Sequence, residues 1–248
     1  MEVYWLEQTE VDLPATNDWL SSSEIIRQDG MRFAKRQADW RLGRWTSKHA
    51  VALYLNLPCD PQSLANIGIQ PAPSGAPDVF ISGRPARVAI SLSHRGGVAA
   101  CVVGPAEVEL GCDLEIVEPR SDAFISDYFT EDEQAWIKRT PEADRQLLLA
   151  LLWSAKESAL KALRTGLRLD TRDVRVLQSP HFEDRDGRWH PLQVSTNGQT
   201  FHGWWQNTGE LLRTFVAQPP ARSPVFLKRT ACLEASSEST VTKLQTDE

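Results

Sequence analysis

The sequence predicts an α+β fold in two similar halves, each a small, mostly antiparallel sheet packed with helices, and three observations carry that expectation. Residues 32–55 and 145–164 both have helical periodicity, the second with Leu148, Leu151, Leu152, Ala155, Ala159 and Leu163 at three- and four-residue steps and Gly166 to end it. Short alternating segments bounded by Gly, Pro, Asn and Asp accompany them, the pattern of antiparallel strands. Pro119 stands between the two groups, so helix plus sheet occurs twice although no sequence repeat is visible. At 248 residues and 41% hydrophobic content the chain can bury a core in each half. The expected organisation is an N-terminal half, 1–118, a C-terminal half, 119–228, and a disordered, Ser/Thr-rich tail, 229–248.

With 27 basic against 33 acidic residues, a net charge of −6 argues against a general nucleic-acid binder, which needs a basic surface. Met1-Glu2-Val3-Tyr4-Trp5 lacks the charged-then-apolar pattern of a signal peptide, and no apolar run approaches the ~18 residues that span a bilayer. The expectation is a cytoplasmic protein without a membrane partner. Cys59, Cys101, Cys112 and Cys232 form neither a CxxC pair nor a zinc-like spacing with His, and are expected to be reduced and mostly buried.

In chain order, residues 3–11 read as a strand, Pro14 breaks the pattern, and Ser21-Ser22-Ser23 caps a helix. The 32–55 helix is basic for so acidic a chain: Arg27, Arg32, Lys35, Arg36, Arg41, Arg44 and Lys48 oppose only Asp29 and Asp39. Arg41, Arg44 and Lys48 share a face, which is either solvated surface or a cradle for a polyanion. Residues 58–85 read as loops and a short hairpin. Residues 88–92 and 98–103 read as strands around the turn Ser93-His94-Arg95-Gly96-Gly97, which is structural or else offers an imidazole, a guanidinium and backbone N–H groups to an anion. At 108–117, strand alternation puts Leu110, Cys112, Leu114 and Ile116 on one face and Gly111, Asp113 and Glu115 on the other. The two carboxylates then stand about 7 Å apart along the strand. Residues 119–126 read as a link, Thr130 to Glu133 as a capping-box helix start, and 174–177, 192–194, 201–205 and 211–217 as a small antiparallel sheet.

On the 145–164 helix, Trp153, Glu157 and Lys161 fall at i, i+4 and i+8 and line one edge of the apolar stripe. Alone, that is a surface Glu–Lys pair beside a core Trp. Set across from Asp113 and Glu115, Glu157 becomes a third carboxylate in one cleft, and such a cluster raises its members' pKa values unless a cation sits among them. Oxygen donors without His or Cys favour Mg²⁺, which completes its shell with waters and phosphate oxygens. The basic helix supplies a second anchor, so the expected ligand carries phosphates at more than one place.

Ile90-Ser91-Leu92-Ser93-His94, Gly111-Cys112-Asp113-Leu114-Glu115 and Trp153-Ser154-Ala155-Lys156-Glu157-Ser158-Ala159-Leu160-Lys161 resemble, in order and spacing, the three signature motifs of the Sfp-type 4′-phosphopantetheinyl transferases. The resemblance covers residues 32–176. It implies a monomer of two halves related by a pseudo-twofold axis, with coenzyme A in the cleft between them. It also implies Mg²⁺-dependent transfer of the phosphopantetheine arm to a serine of an acyl or peptidyl carrier protein, releasing 3′,5′-ADP. Asp113, Glu115 and Glu157 would hold Mg²⁺, Lys161 would pair with the phosphates, and Ser93 and His94 would meet the nucleotide's phosphate end. Arg44 stands where the family often has a Gly-Arg for the 3′-phosphate, with Arg36 and Arg41 as further candidates. Asp113, Glu157 and Lys161 form the implied catalytic set, and the serine proton goes to Glu157 or to a water held by Glu115. Arg95 departs from the family's Ser-His-Ser, and both Gly75-Ala76-Pro77 and Gly83-Arg84-Pro85 are candidates for its Gly-Lys-Pro loop. Phe124, Ile125, Tyr128 and Phe129 serve either carrier docking or core packing. The alternative function is a non-catalytic module binding coenzyme A or a carrier protein. A Mg²⁺-dependent phosphohydrolase is disfavoured because no Asp- or His-rich metal pair is present.

Overall fold

The computed structural model describes residues 1–177, 187–196 and 198–228; Cys232 and the expected tail beyond 228 lie outside them. The elements are β1 (Tyr4–Thr9), α1 (Ser22–Asp29), α2 (Ala34–Tyr54), α3 (Pro61–Ala65), β2 (Ile67–Pro71), β3 (Pro77–Ile81), β4 (Arg84–Pro85), β5 (Val88–Arg95), β6 (Val98–Pro105) and β7 (Glu109–Ile116). There follow α4 (Asp122–Tyr128), α5 (Glu131–Arg139), α6 (Glu142–Ala162), β8 (Val174–Val176), β9 (His190–Thr196), β10 (Gln199–Thr208), β11 (Leu211–Gln218) and β12 (Val225–Phe226). The expected α+β class holds. The sheets run β12-β1-β6-β5, β7-β11-β10-β9-β8 and β2-β3-β4, antiparallel throughout except where β12 lies parallel to β1.

Strand alternation makes each large sheet two-faced, and the layers follow from it. One face of the first sheet meets α2, where Leu6, Ile90, Cys101 and Val103 pack with Trp45 and Val51. One face of the second meets α6, where Val194, Phe201, Leu212 and Val216 pack with Leu151, Ala155 and Ala159. The remaining faces meet each other through Val3, Trp5, Val102, Cys112, Leu114 and Phe215. The sheets also touch along an edge. Ser91 and Ser93 of β5 accept hydrogen bonds from the backbone N–H of Cys112 and Leu114 on β7, at 3.0 and 3.1 Å, so two hydroxyls occupy β7 donors that face away from β11.

A matched polar plug lies beside each of the two long helices, α2 and α6. Ser21 and Thr130 open α1 and α5 with capping boxes closed by Glu24 and Glu133. Each of those glutamates also binds a fully buried lysine at the corresponding place in a 21-residue helix: Lys48 at 2.6 Å in α2 and Lys156 at 2.8 Å in α6. Backbone carbonyls take the remaining ammonium protons, from Trp19 and Leu64 in one plug and Thr171 and Val174 in the other. Burial lowers the pKa of both lysines, and their glutamates oppose the shift.

Several expectations need correction. β5 runs on to Arg95, so the expected five-residue turn is only Gly96-Gly97, with φ of 58° and 77°, the positive pair that a tight two-residue hairpin requires. The stretch 58–85 holds the helix α3 and a three-stranded sheet rather than loops and one hairpin. The link at 119–126 includes most of α4, started by the Ser121 side chain on the Phe124 N–H. Cys101 and Cys112 are free and buried as expected, but Cys59 is disulfide-bonded, against the expectation of four reduced thiols. β7 lies before the boundary expected at 118 yet hydrogen-bonds to β11 in the second sheet. Among the described residues no helix is long and apolar enough to cross a membrane.

Candidate functional site

α6 lies directly on the face of β7 that carries Gly111, Asp113 and Glu115. The approach is so close that a Cβ at Gly111 would sit 1.9 Å from the Ser158 carbonyl oxygen and 2.6 Å from the Ala162 nitrogen. Ser154 and Ser158 hydroxyls, each 2.8 Å from the Thr214 hydroxyl on β11, fix the same face of the helix. That packing brings Lys161 over Asp113: its Nζ donates to Asp113 Oδ1 at 2.7 Å and to the Cys112 carbonyl at 3.0 Å. Ser93 donates to the same Oδ1 at 2.9 Å. Asp113 is 5% exposed, and its Oδ2 has no hydrogen-bond partner.

The acidic edge is electrostatically tense. Burial raises the pKa of Glu157, the Asp113 charge adds to the shift, and Lys161 opposes it. Glu115 is also raised, by burial and then by Asp113, against Arg95, Arg120 and a hydrogen bond with the Trp153 side chain. Lys161 loses proton affinity to burial but gains more from Asp113, Cys112 and Glu157, so its pKa rises. Among the described residues no group of three or more His, Cys, Asp or Glu is already assembled as a metal site. Glu115 is instead bonded to Arg120 at 2.8 Å, with Arg95 at 3.6 Å.

Two adjoining cavities share Arg44. One, of about 760 Å³, is lined by Arg27, Arg44, Gly75, Pro77, Lys161 and Arg164. The other, of about 530 Å³, is lined by Lys35, Arg36, Trp40, Arg44, Ser93 and His94. Arg44 is buried beside Glu24 at 3.7 Å, with its guanidinium 5.2 Å over the Trp40 ring, and burial lowers its pKa to about 10. The structure thus gathers Arg36, Arg44, Ser93, His94 and Lys161 around neighbouring spaces, and of the two Gly-x-Pro loops only Gly75-Ala76-Pro77 lines them. The expected common face of Arg41, Arg44 and Lys48 does not form a cradle: Lys48 is sealed on Glu24, and Arg41 donates to the Pro14 and Thr16 carbonyls at 2.8 and 3.1 Å, outside both cavities.

The apolar stretch after Pro119 mostly packs. Phe129 is buried with Leu148 and Leu152, and Phe124 and Tyr128 each meet Trp153 at 5.0 Å. Sequence reasoning missed Arg164, which follows Lys161 by three and reaches Asp78 at 3.0 Å across the first cavity's rim. It also missed Arg120, whose contact with Glu115 leaves no local signature.

A family model described as the 4′-phosphopantetheinyl transferase superfamily matches residues 109–214, a span that holds β7, α6 and the sheet beneath them. The chain is 25% identical over 164 residues to the 4′-phosphopantetheinyl transferase HetI of Nostoc sp. (strain PCC 7120 / SAG 25.82 / UTEX 2576), covering 65% of this chain and 67% of that protein. With the three motifs converging on one cleft, the chain is similar over these residues to the 4′-phosphopantetheinyl transferase superfamily.

Proposed function

We propose that this protein transfers the 4′-phosphopantetheine arm of coenzyme A to a serine of an acyl or peptidyl carrier protein, releasing 3′,5′-ADP, with Mg²⁺ as cofactor. The observation that carries the reading is the pairing of Lys161 with Asp113, whose second oxygen is buried and unpartnered, on α6 and β7 beside a cavity that also holds Arg44. An orphaned carboxylate oxygen with the strained Glu157 nearby suits a hard divalent cation held by oxygen donors. Asp113 and Glu157 would hold it, and Glu115 would join after exchanging its arginine contacts. When bound, Mg²⁺ neutralises the pyrophosphate oxygens as charge moves onto the leaving group.

The chain's own groups divide the remaining work. Lys161, fixed at both Asp113 and the Cys112 carbonyl, presents its charge to a phosphate with little freedom left to lose. Arg44, between the cavities, is the anchor for the second phosphate group, with Arg36 and His94 on the outer side. Ser93 orients Asp113 and, with His94 in the lining of the second cavity, stands beside the nucleotide's phosphate end. The serine proton would go to Glu157 or to a water held by Glu115.

The test is intact-mass spectrometry of an apo carrier protein incubated with this protein, coenzyme A and Mg²⁺, with an EDTA control. A gain of about 340 Da, seen only with metal, is expected. Coenzyme A binding without a mass gain across several carrier types would replace the enzyme with a binding module.

A further inference from the structure

The surroundings of Glu115 carry an inference that rests on the cation-site reading above and deepens it. Its Oε2 lies 2.8 Å from Arg120 Nη2 and 3.6 Å from Arg95 Nε. The same two guanidiniums share Glu118, at 2.5 Å from Arg95 and 3.4 Å from Arg120. Arg120 also sits 5.3 Å over the Phe124 ring, and Phe124 meets Trp153 edge-on at 5.0 Å. Arg120 is therefore held between Glu115 and an aromatic pair. Asp113, two residues away on the same strand, has an oxygen with no partner at all. Glu115 is thus held by two guanidiniums, while Asp113, paired with Lys161 through Oδ1, keeps Oδ2 open.

We propose that Arg95 and Arg120 are a built-in counter-cation for Glu115, holding it apart from Asp113 and Glu157 until a phosphate-bearing ligand draws the guanidiniums away. A divalent cation arriving alone meets the unpartnered Asp113 Oδ2 and Glu157, and recruiting Glu115 as the third carboxylate breaks charge-assisted bonds. Pyrophosphate oxygens compete with Glu115 for the same planar forks, so they release it. Cation and polyphosphate consequently assist each other's binding, by the same factor in either order.

The experiment measures Mn²⁺ binding to the full chain by electron paramagnetic resonance, with and without inorganic pyrophosphate, corrected for the complex those two form in buffer. Arg95→Lys/Arg120→Lys keeps the charge but removes the forks, and Arg95→Ser is a milder companion; circular dichroism checks that both fold. Both variants should bind Mn²⁺ roughly 3- to 10-fold more tightly than wild type without pyrophosphate, and gain less when it is added. Unchanged affinity and unchanged enhancement would overturn the proposal. Asp113→Asn and Glu157→Gln separate it from its premise. If they abolish Mn²⁺ binding while the arginine variants are silent, only the counter-cation fails. If they leave Mn²⁺ binding intact, the cation site fails and takes this proposal with it.

Discussion

Burial and the Asp113 charge both raise the proton affinity of Glu157, and only Lys161 opposes them. A carboxyl whose folded pKa exceeds its unfolded value contributes stability below the unfolded value, near about 4.3, and that contribution is lost as pH rises through the folded pKa. At neutral pH the charged Glu157 therefore costs stability in the absence of a cation. Glu157→Gln should melt roughly 1–3 °C above wild type at pH 7 in metal-free buffer, converge with it by pH 4, and lose about 100-fold or more in transfer rate. Melting below wild type at pH 7 would contradict the electrostatic account. Arg44 gives the second test at this scale. Removing the guanidinium shared by both cavities should raise KM for coenzyme A about tenfold, with KM for the carrier protein unchanged. A change confined to the carrier would move Arg44 out of the phosphate site.

The helix α6 is placed by what is missing from β7. Gly111 lets the helix backbone lie against the strand, and Lys161 reaches Asp113 only at that spacing. Gly111→Ala should push α6 outward, destabilise the fold by about 1–3 kcal/mol and lower kcat more than that loss accounts for, since Lys161 and Glu157 move together. Lys156 anchors the same helix from its other side. Lys156→Met leaves Glu133 buried and unpaired and should cost about 3–5 kcal/mol in urea unfolding, whereas Glu133→Gln/Lys156→Met should cost clearly less than the sum of the single changes. Additive costs would mean that the pair is not one unit. At this scale the sequence is informative where a local rule suffices: the period of α6, the capping boxes of α1 and α5, and the alternation of β7 are all legible. It is silent where a partner lies far along the chain. Lys48 and Arg41 sit in a basic run that looks solvated, and only the fold brings Glu24 to one and the Pro14 carbonyl to the other. Arg95 looked like a turn residue because a hairpin needs only Gly96 and Gly97 to bend, a distinction that composition does not make.

Across the whole molecule, the cleft exists because two sheets meet along one edge, and the Ile90 to His94 motif makes that meeting possible. Edge strands normally expose their donors to water or to another chain. Here Ser91 and Ser93 cap the β7 donors of Cys112 and Leu114, and Ser93 passes a further bond to Asp113, so one side chain both seals the seam and orients the site. The motif residues were readable from the sequence, but this role was not, because a serine in a strand carries no mark of which backbone it will satisfy. Ser91→Ala/Ser93→Ala would leave two buried N–H groups without acceptors, at about 1–3 kcal/mol each. Hydrogen exchange at the Cys112 and Leu114 amides should then quicken by more than about tenfold, since their protection comes from the seam, while amides in the β10–β11 ladder slow or quicken only with global stability. KM for coenzyme A should rise in the same variant, because both cavities take part of their walls from β5. If the two amides stay protected while the protein is merely less stable, the serines are ordinary core polar groups, and the halves are held together by the apolar contacts of Trp5, Leu114 and Phe215 alone.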